Sequence, residues 1–219
     1  MMDYIRLIGL IGLRDTTSHS LWRLSILHLS DTKTMTIKRS PKNQRPVPKV
    51  IRLPSRTDNI IGIDPDVDRS GVAWLHPTTR EMECDALPFP ELLDYLQYAK
   101  KFGQENNQSL VVVVEAGWLN EKSCYHAAKG KGAERIAKNV GANHQVGKEI
   151  IKMCEHWSIP VIAQPPLRKV WNGPDRKITA QELYAITGLG GRNNQEMRDA
   201  CLLAWNHADL PMFVIPKPK

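Results

Sequence analysis

Leu110–Glu115 reads Leu-Val-Val-Val-Val-Glu, an apolar run closed by a carboxylate, and it limits the fold more than any other segment. Valine loses side-chain freedom in a helix and packs well on a pleated surface, so the run predicts a strand. Strand side chains alternate between two faces. An unbroken apolar run therefore needs both faces covered, which places this strand inside a sheet with helices on either side.

The flanking segments support the same architecture. Asn59–Asp64 (NIIGID) reads as a buried strand and residues 71–75 (GVAWL) as a second one after a polar turn, which together make a hairpin. A third strand is expected at Glu81–Leu87, and Pro90 then starts a helical stretch at a position where proline is tolerated. A helix is expected within residues 133–157 and a strand at 159–163. Thr179-x-x-Glu182 resembles a capping box opening a helix that stops at Gly188, and a last helix is expected from about Asn194 to Ala208. Hairpin strands followed by alternating strands and helices predict an α/β fold with a mixed sheet. No internal repeat is found.

Charge divides the chain. Residues 1–58 hold 11 of the 30 Lys and Arg but 4 of the 23 Asp and Glu, so residues 59–219 carry 19 of each. The net charge of +7 therefore resides in the N-terminal quarter. From Lys38 to Arg56 there are seven basic residues, no acidic one and four prolines, a composition that favours an extended, solvated segment. Residues 1–58 are read as a basic, proline-containing, disordered extension and 59–219 as the folded domain. An overextended gene start, with Met35 as the initiator, is the alternative for the first 34 residues. The cysteines (84, 124, 154 and 201) form no C-x-x-C pair, so a zinc ribbon or disulfide framework is not expected; they are read as reduced, in a cytoplasmic protein. The apolar stretch Leu7 to Leu13 is too short to span a bilayer.

Four carboxylates stand out against this framework. Asp64 ends the first strand, Glu115 ends the central one, and Glu196 and Asp199 lie three apart near the start of the last helix, on one face. Carboxylates gathered in one pocket repel one another and are desolvated, a cost that a divalent cation offsets. An all-oxygen set suits Mg²⁺ or Mn²⁺.

With those residues in place, a resemblance becomes specific. IGIDPDVDRSGVAWL (61–75) resembles the opening strand, turn and second strand of the RuvC family of Holliday-junction endonucleases; VVVVEA (111–116) resembles the family's second catalytic strand, and EMRDACLLA (196–204) its C-terminal helix. Residues 139–161 are similar to its middle helix and following strand. The resemblance implies an RNase H-like mixed five-stranded sheet flanked by helices. It also implies a homodimer that cuts branched DNA using two Mg²⁺ or Mn²⁺ ions per site. Asp64, Glu115 and Asp199 would be the catalytic metal ligands, joined by Glu196, where the family usually carries aspartate or histidine. The basic stretch RKVWNGPDRK (168–177) stands where the family has a basic loop, so Arg168, Lys169, Arg176 and Lys177 are expected on phosphate, together with Lys122.

Blander readings accompany these. Asp64 could make an Asx turn, Glu115 could emerge into solvent, and Asn193-x-x-Glu196 is an acceptable helix cap. Asp66 and Asp68 are read as solvated turn residues, because an EF-hand fails at Arg69 and Leu75, its sixth and twelfth positions. His126, His144, His156 and His207 are read as ordinary surface or loop residues. Trp118 and Trp171, in expected loops, could stack on an unpaired base. A related enzyme processing structured RNA and a non-catalytic nucleic-acid-binding module are the competing functions.

Overall fold

The computed structural model describes residues 57–120 and 131–214, with the side chains of all but 131–133. The basic extension up to residue 56, Cys124, His126 and the expected phosphate ligand Lys122 lie outside the described residues.

Five strands form one mixed sheet: β1 (Asn59–Asp64), β2 (Ser70–His76), β3 (Glu81–Leu87), β4 (Leu110–Glu115) and β5 (Val161–Gln164), in the order β3-β2-β1-β4-β5. The first three run antiparallel as a meander, and β4 and β5 continue parallel to β1. Helices α1 (Phe89–Glu105), α2 (Lys131–His156), α3 (Ala180–Thr187) and α4 (Gln195–His207) complete the domain. This is the α/β fold with a mixed five-stranded sheet and flanking helices that the sequence predicts.

The valine run behaves as its composition requires. Val111 and Val113 join Ile60, Leu75 and the α4 residues Ala200, Cys201 and Ala204 in one core; Val112 and Val114 join Ile61, Ile63, Leu92 and Leu96 of α1 and Ile150 of α2 in the other. The two periods meet cleanly, strand alternation feeding one helix layer on each face. Polar groups at the sheet's far end are satisfied, since Trp74 Nε1 donates to the buried Asn59 Oδ1 at 2.9 Å and Asn59 Nδ2 donates to Gln108 Oε1 at 3.0 Å.

Boundaries shift modestly from expectation. β5 begins at Val161, because Ile159 turns back to Cys154 through a 2.8 Å backbone bond and is buried against α2 as its C-terminal stop. Thr179 and Glu182 form the expected capping box and Gly188 ends α3 at φ 75, the left-handed conformation glycine adopts without a Cβ penalty.

Candidate active site

Alternation along β1 and β4 decides where the first two carboxylates go. Ile60, Val111 and Val113 face the core under α4, so Asp64 and Glu115, of the same parity, emerge on the α4 side. Ile63 is aligned with Val114 in the parallel ladder, which sets Asp64 and Glu115 on adjacent strands, about 4.8 Å apart in backbone. Helix α4 supplies the other two. A Cβ on Gly62 would stand 2.3 Å from the Ala200 carbonyl oxygen, and one on Gly71 2.0 Å from that of Glu196. Both glycines thus let the helix backbone lie directly on β1 and β2, and its first turn carries Glu196 and Asp199 over the strand ends.

All four carboxylates line one cleft of about 930 Å³, far more than an ion needs. The electrostatics are those of crowded acids. Burial pushes the Asp64 carboxyl well above its usual range, and the charges of Glu115, Asp199 and Glu196 add to this while Lys177 opposes it. Burial and Asp199 raise Glu115 in the same direction, against Lys169 and Lys177.

The Asx turn belongs to another residue. Asp66 Oδ1 accepts from the Asp68 and Arg69 amides at 2.9 and 3.5 Å, leaving Asp64 free of that role. Asp66 is also more than a solvated turn residue: Asn143 Nδ2 of α2 donates to its Oδ2 at 2.9 Å, and it lines the cleft, whereas Asp68 is exposed. Glu196 is likewise released from capping. The N-cap of α4 is Asn194, whose Oδ1 accepts from the Met197 amide at 2.8 Å, with Met197 Sδ as the reciprocal partner. Register along the chain moves the cap one residue from Asn193, so Glu196 falls at the second helical position and faces the cleft.

Basic residues border the carboxylates. Lys177 Nζ lies 3.3 Å from Asp199 Oδ2, and Arg168 and Lys169 line the same cleft. Arg176, expected on phosphate with them, is exposed and does not line it: the 174–176 turn, with Asp175 and Arg176 both at positive φ, carries it away. Glu182 anchors this loop. It is 3% exposed, and its carboxylate accepts from Asn172 N at 3.1 Å, Asn172 Nδ2 at 2.8 Å, Thr179 N at 3.0 Å and Thr179 Oγ1 at 2.9 Å.

The tryptophans separate. Trp171 packs into the α4 core, is 9% exposed and contributes only an edge of its surface to the cleft lining. Trp118 is half-buried, its ring edge-on to His144 at 5.8 Å with Lys148 Nζ 5.7 Å from its centroid. Its edge sits in a slot that Gly147 leaves open, since a Cβ there would stand 2.7 Å from Cζ3. His144, read from sequence as an ordinary surface or loop residue, sits instead on α2 and lines the cleft; burial and Lys148 hold its imidazole below the usual value.

Sequence reasoning missed Gln195 and Arg198. Gln195 Nε2 donates to Asp199 Oδ1 at 2.8 Å, and Arg198 Nη2 donates to Gln195 Oε1 at 3.0 Å. Their spacings of four and three on one helix are the signal that could have found them.

The donor set fits a hard divalent cation, being all carboxylate oxygen with Asp64 half-buried among acids. Among the described residues no group of three His, Cys, Asp or Glu side chains is already arranged as a metal cage, in keeping with Asp199 being turned to Lys177 and Gln195. A linkage prediction arises here. Below the ordinary carboxylate value of 3.8 Asp64 is protonated in both folded and unfolded chains. Above it the metal-free folded state holds a proton the unfolded chain has released, so stability falls as pH rises through the raised folded value. Thermal melts should therefore show a metal-free protein losing stability across that window, and millimolar Mg²⁺ or Mn²⁺ restoring it. Coincident melts with and without metal at neutral pH would count against a cation site.

Fold and cleft together define a mixed α/β domain with an acidic cleft at the carboxyl ends of its central parallel strands. No family model and no curated protein matches the chain. Among solved structures it resembles T. thermophilus RuvC in complex with Holliday junction substrate, at 16% identity over 68% of this chain and 92% of that one, with a TM-score of 0.44. It is also similar to the Thermus thermophilus RuvC structure (17% identity, 68% and 93% covered, TM-score 0.36) and to Fowlpox virus resolvase with its Holliday junction DNA (12% identity, 69% and 97% covered, TM-score 0.36).

Proposed function

We propose that this protein is a divalent-metal-dependent endonuclease that cuts phosphodiesters of branched DNA, in the manner of a Holliday-junction resolvase. The observation that carries the reading is the convergence of Asp64, Glu115, Glu196 and Asp199, from two strands and a helix, in one cleft walled by Lys177, Lys169 and Arg168. Three separate elements do not gather four acids against their mutual repulsion for packing. Two Mg²⁺ or Mn²⁺ ions held there would supply an activated water and stabilise the leaving oxygen. Asp64, Glu115, Asp199 and Glu196 would be the ligands that hold them. Lys177, Lys169 and Arg168 bind phosphate oxygens and oppose the field of the acids. A homodimer would present two equivalent sites to the matching strands of a four-way junction. No helix among the described residues is long and apolar enough to cross a membrane, and a cytoplasmic setting suits this substrate.

The test incubates the full chain with a four-way junction, a flap, a duplex and a structured RNA in Mg²⁺. Symmetric nicks confined to the junction support the reading. Cleavage of the RNA alone transfers the site to RNA processing, and metal-independent binding without cleavage makes the domain a binding module.

The basic N-terminal segment is assigned sequence-independent affinity. Residues 59–219 are balanced at 19 basic and 19 acidic, so long-range attraction to DNA must come largely from Lys38 to Arg56. Asp58 accepts at Oδ2 from Ser109 N at 2.9 Å, so the truncation is best made before residue 57. Removing residues 1–56 should weaken binding at low salt and flatten the dependence of log affinity on log salt, with cleavage at saturating DNA little changed. Equal affinity and equal slope in the truncated protein would assign the phosphate contacts to the domain.

A further inference from the structure

The side chains around Asp199 close a ring. Lys177 Nζ meets Asp199 Oδ2 at 3.3 Å, Gln195 Nε2 donates to Asp199 Oδ1 at 2.8 Å, and Arg198 Nη2 donates to Gln195 Oε1 at 3.0 Å. Arg198 Nε then donates to the carbonyl of Ile178, the residue after Lys177, at 3.1 Å. Arg198 Nη1 also donates to the Asn193 carbonyl oxygen at 2.8 Å and to its side-chain Oδ1 at 3.0 Å, which fixes the guanidinium from a second side. A guanidinium offers donors only, so the Gln195 amide must turn its oxygen to Arg198 and its NH₂ to Asp199. Its orientation is set by chemistry.

The two Asp199 oxygens are thereby made unequal. Oδ1 is held by an amide that is itself held, whereas Oδ2 is paired with the ammonium of a flexible lysine, which a doubly charged ion can displace. We infer that Gln195, braced by Arg198, is a positioning residue for the metal site: it fixes Asp199 Oδ1 so that Oδ2 is the oxygen offered to a cation, and Arg198 ties the Lys177 loop to the same helix. This rests on the reading of Asp199 as a metal ligand. Without Gln195 the carboxylate rotates, both oxygens become available to Lys177, and the cation must order a side chain that is otherwise already ordered.

The experiment measures Mn²⁺ binding to the full chain without DNA, from the electron paramagnetic resonance signal of free Mn²⁺, alongside the metal-free melting temperature. Gln195→Leu should weaken Mn²⁺ about tenfold, the range typical of lost support to a metal ligand, with the metal-free melt close to that of the unsubstituted chain. Cleavage should return as Mn²⁺ is raised, separating metal affinity from turnover. Gln195→Met, which keeps the length and loses both hydrogen bonds, gives the same reading if leucine is not tolerated. Unchanged Mn²⁺ affinity in both variants overturns the positioning role and leaves the metal site standing. Absence of saturable Mn²⁺ binding by the unsubstituted chain removes the metal reading and this inference with it.

Discussion

Asp64→Asn should abolish cleavage of a four-way junction, by about 10³-fold or more, equivalent to about 4 kcal/mol of transition-state stabilisation, while junction binding persists or tightens. Asp64 is chosen because the charges of Glu115, Asp199 and Glu196 all act on it, so its replacement removes the carboxylate most engaged with the rest of the cluster. The same substitution should raise or leave unchanged the metal-free melting temperature, because it removes a half-buried acid from a cluster of like charges. Loss of activity with a steady or improved melt separates a functional ligand from a structural one. Glu115→Gln and Asp199→Asn should be similarly inactive. Glu196→Gln, at the edge of the cluster, should cost about tenfold, or about 1.4 kcal/mol. Full activity in any of the first three, measured as single-turnover nicking in Mg²⁺, would remove that residue from the site.

Gly71→Ala should be the most damaging substitution that touches no carboxylate. Its new Cβ would stand 2.0 Å from the Glu196 carbonyl oxygen and 2.2 Å from its carbonyl carbon, and backbone cannot yield as a flexible side chain does. The first turn of α4 must lift from β2, taking Glu196 and Asp199 with it. Overpacking of this kind costs on the order of 3 kcal/mol, so a drop of several degrees in melting temperature is expected. Cleavage should fall with it, and added metal should recover less of the lost stability than in the unsubstituted chain. Gly190→Ala is the control, because a Cβ there meets only Tyr184 ring carbons at 3.7 Å. A Gly71→Ala protein that melts and cuts normally would show that α4 does not depend on this close approach.

Much of the site was legible because the relevant signals are local. The sequence puts Asp64 and Glu115 at the ends of buried strands once Asn59–Asp64 and Leu110–Glu115 are recognised, and the parallel β1–β4 register then sends both to one face. The three-residue spacing of Glu196 and Asp199 does the same on a helix. Thr179 and Glu182 announced their capping box, though not that the Glu182 carboxylate would also gather Asn172 and so hold the loop that carries Lys177. The alternative reading of Glu196 put the cap of α4 at Asn193 because Asn193-x-x-Glu196 fits the capping-box pattern and Asn194-x-x-Met197 does not, and only the helix register chooses Asn194.

The amino-acid sequence by itself determined the layers of this protein, since a valine run that must be buried on both faces leaves little freedom in how helices cover the sheet; the close approach of α4 to Gly62 and Gly71 belongs to the tertiary structure. Tertiary structure alone decided which charges meet. Lys177 rather than Arg176 reaches Asp199, Trp171 packs into the α4 core while Trp118 stays half-buried at the cleft wall, and Gln195 is turned toward Asp199 by Arg198. Periodicity records burial, which averages over many contacts along an element. The partner of a loop side chain depends on where residues distant in sequence place it, and no local pattern carries that information.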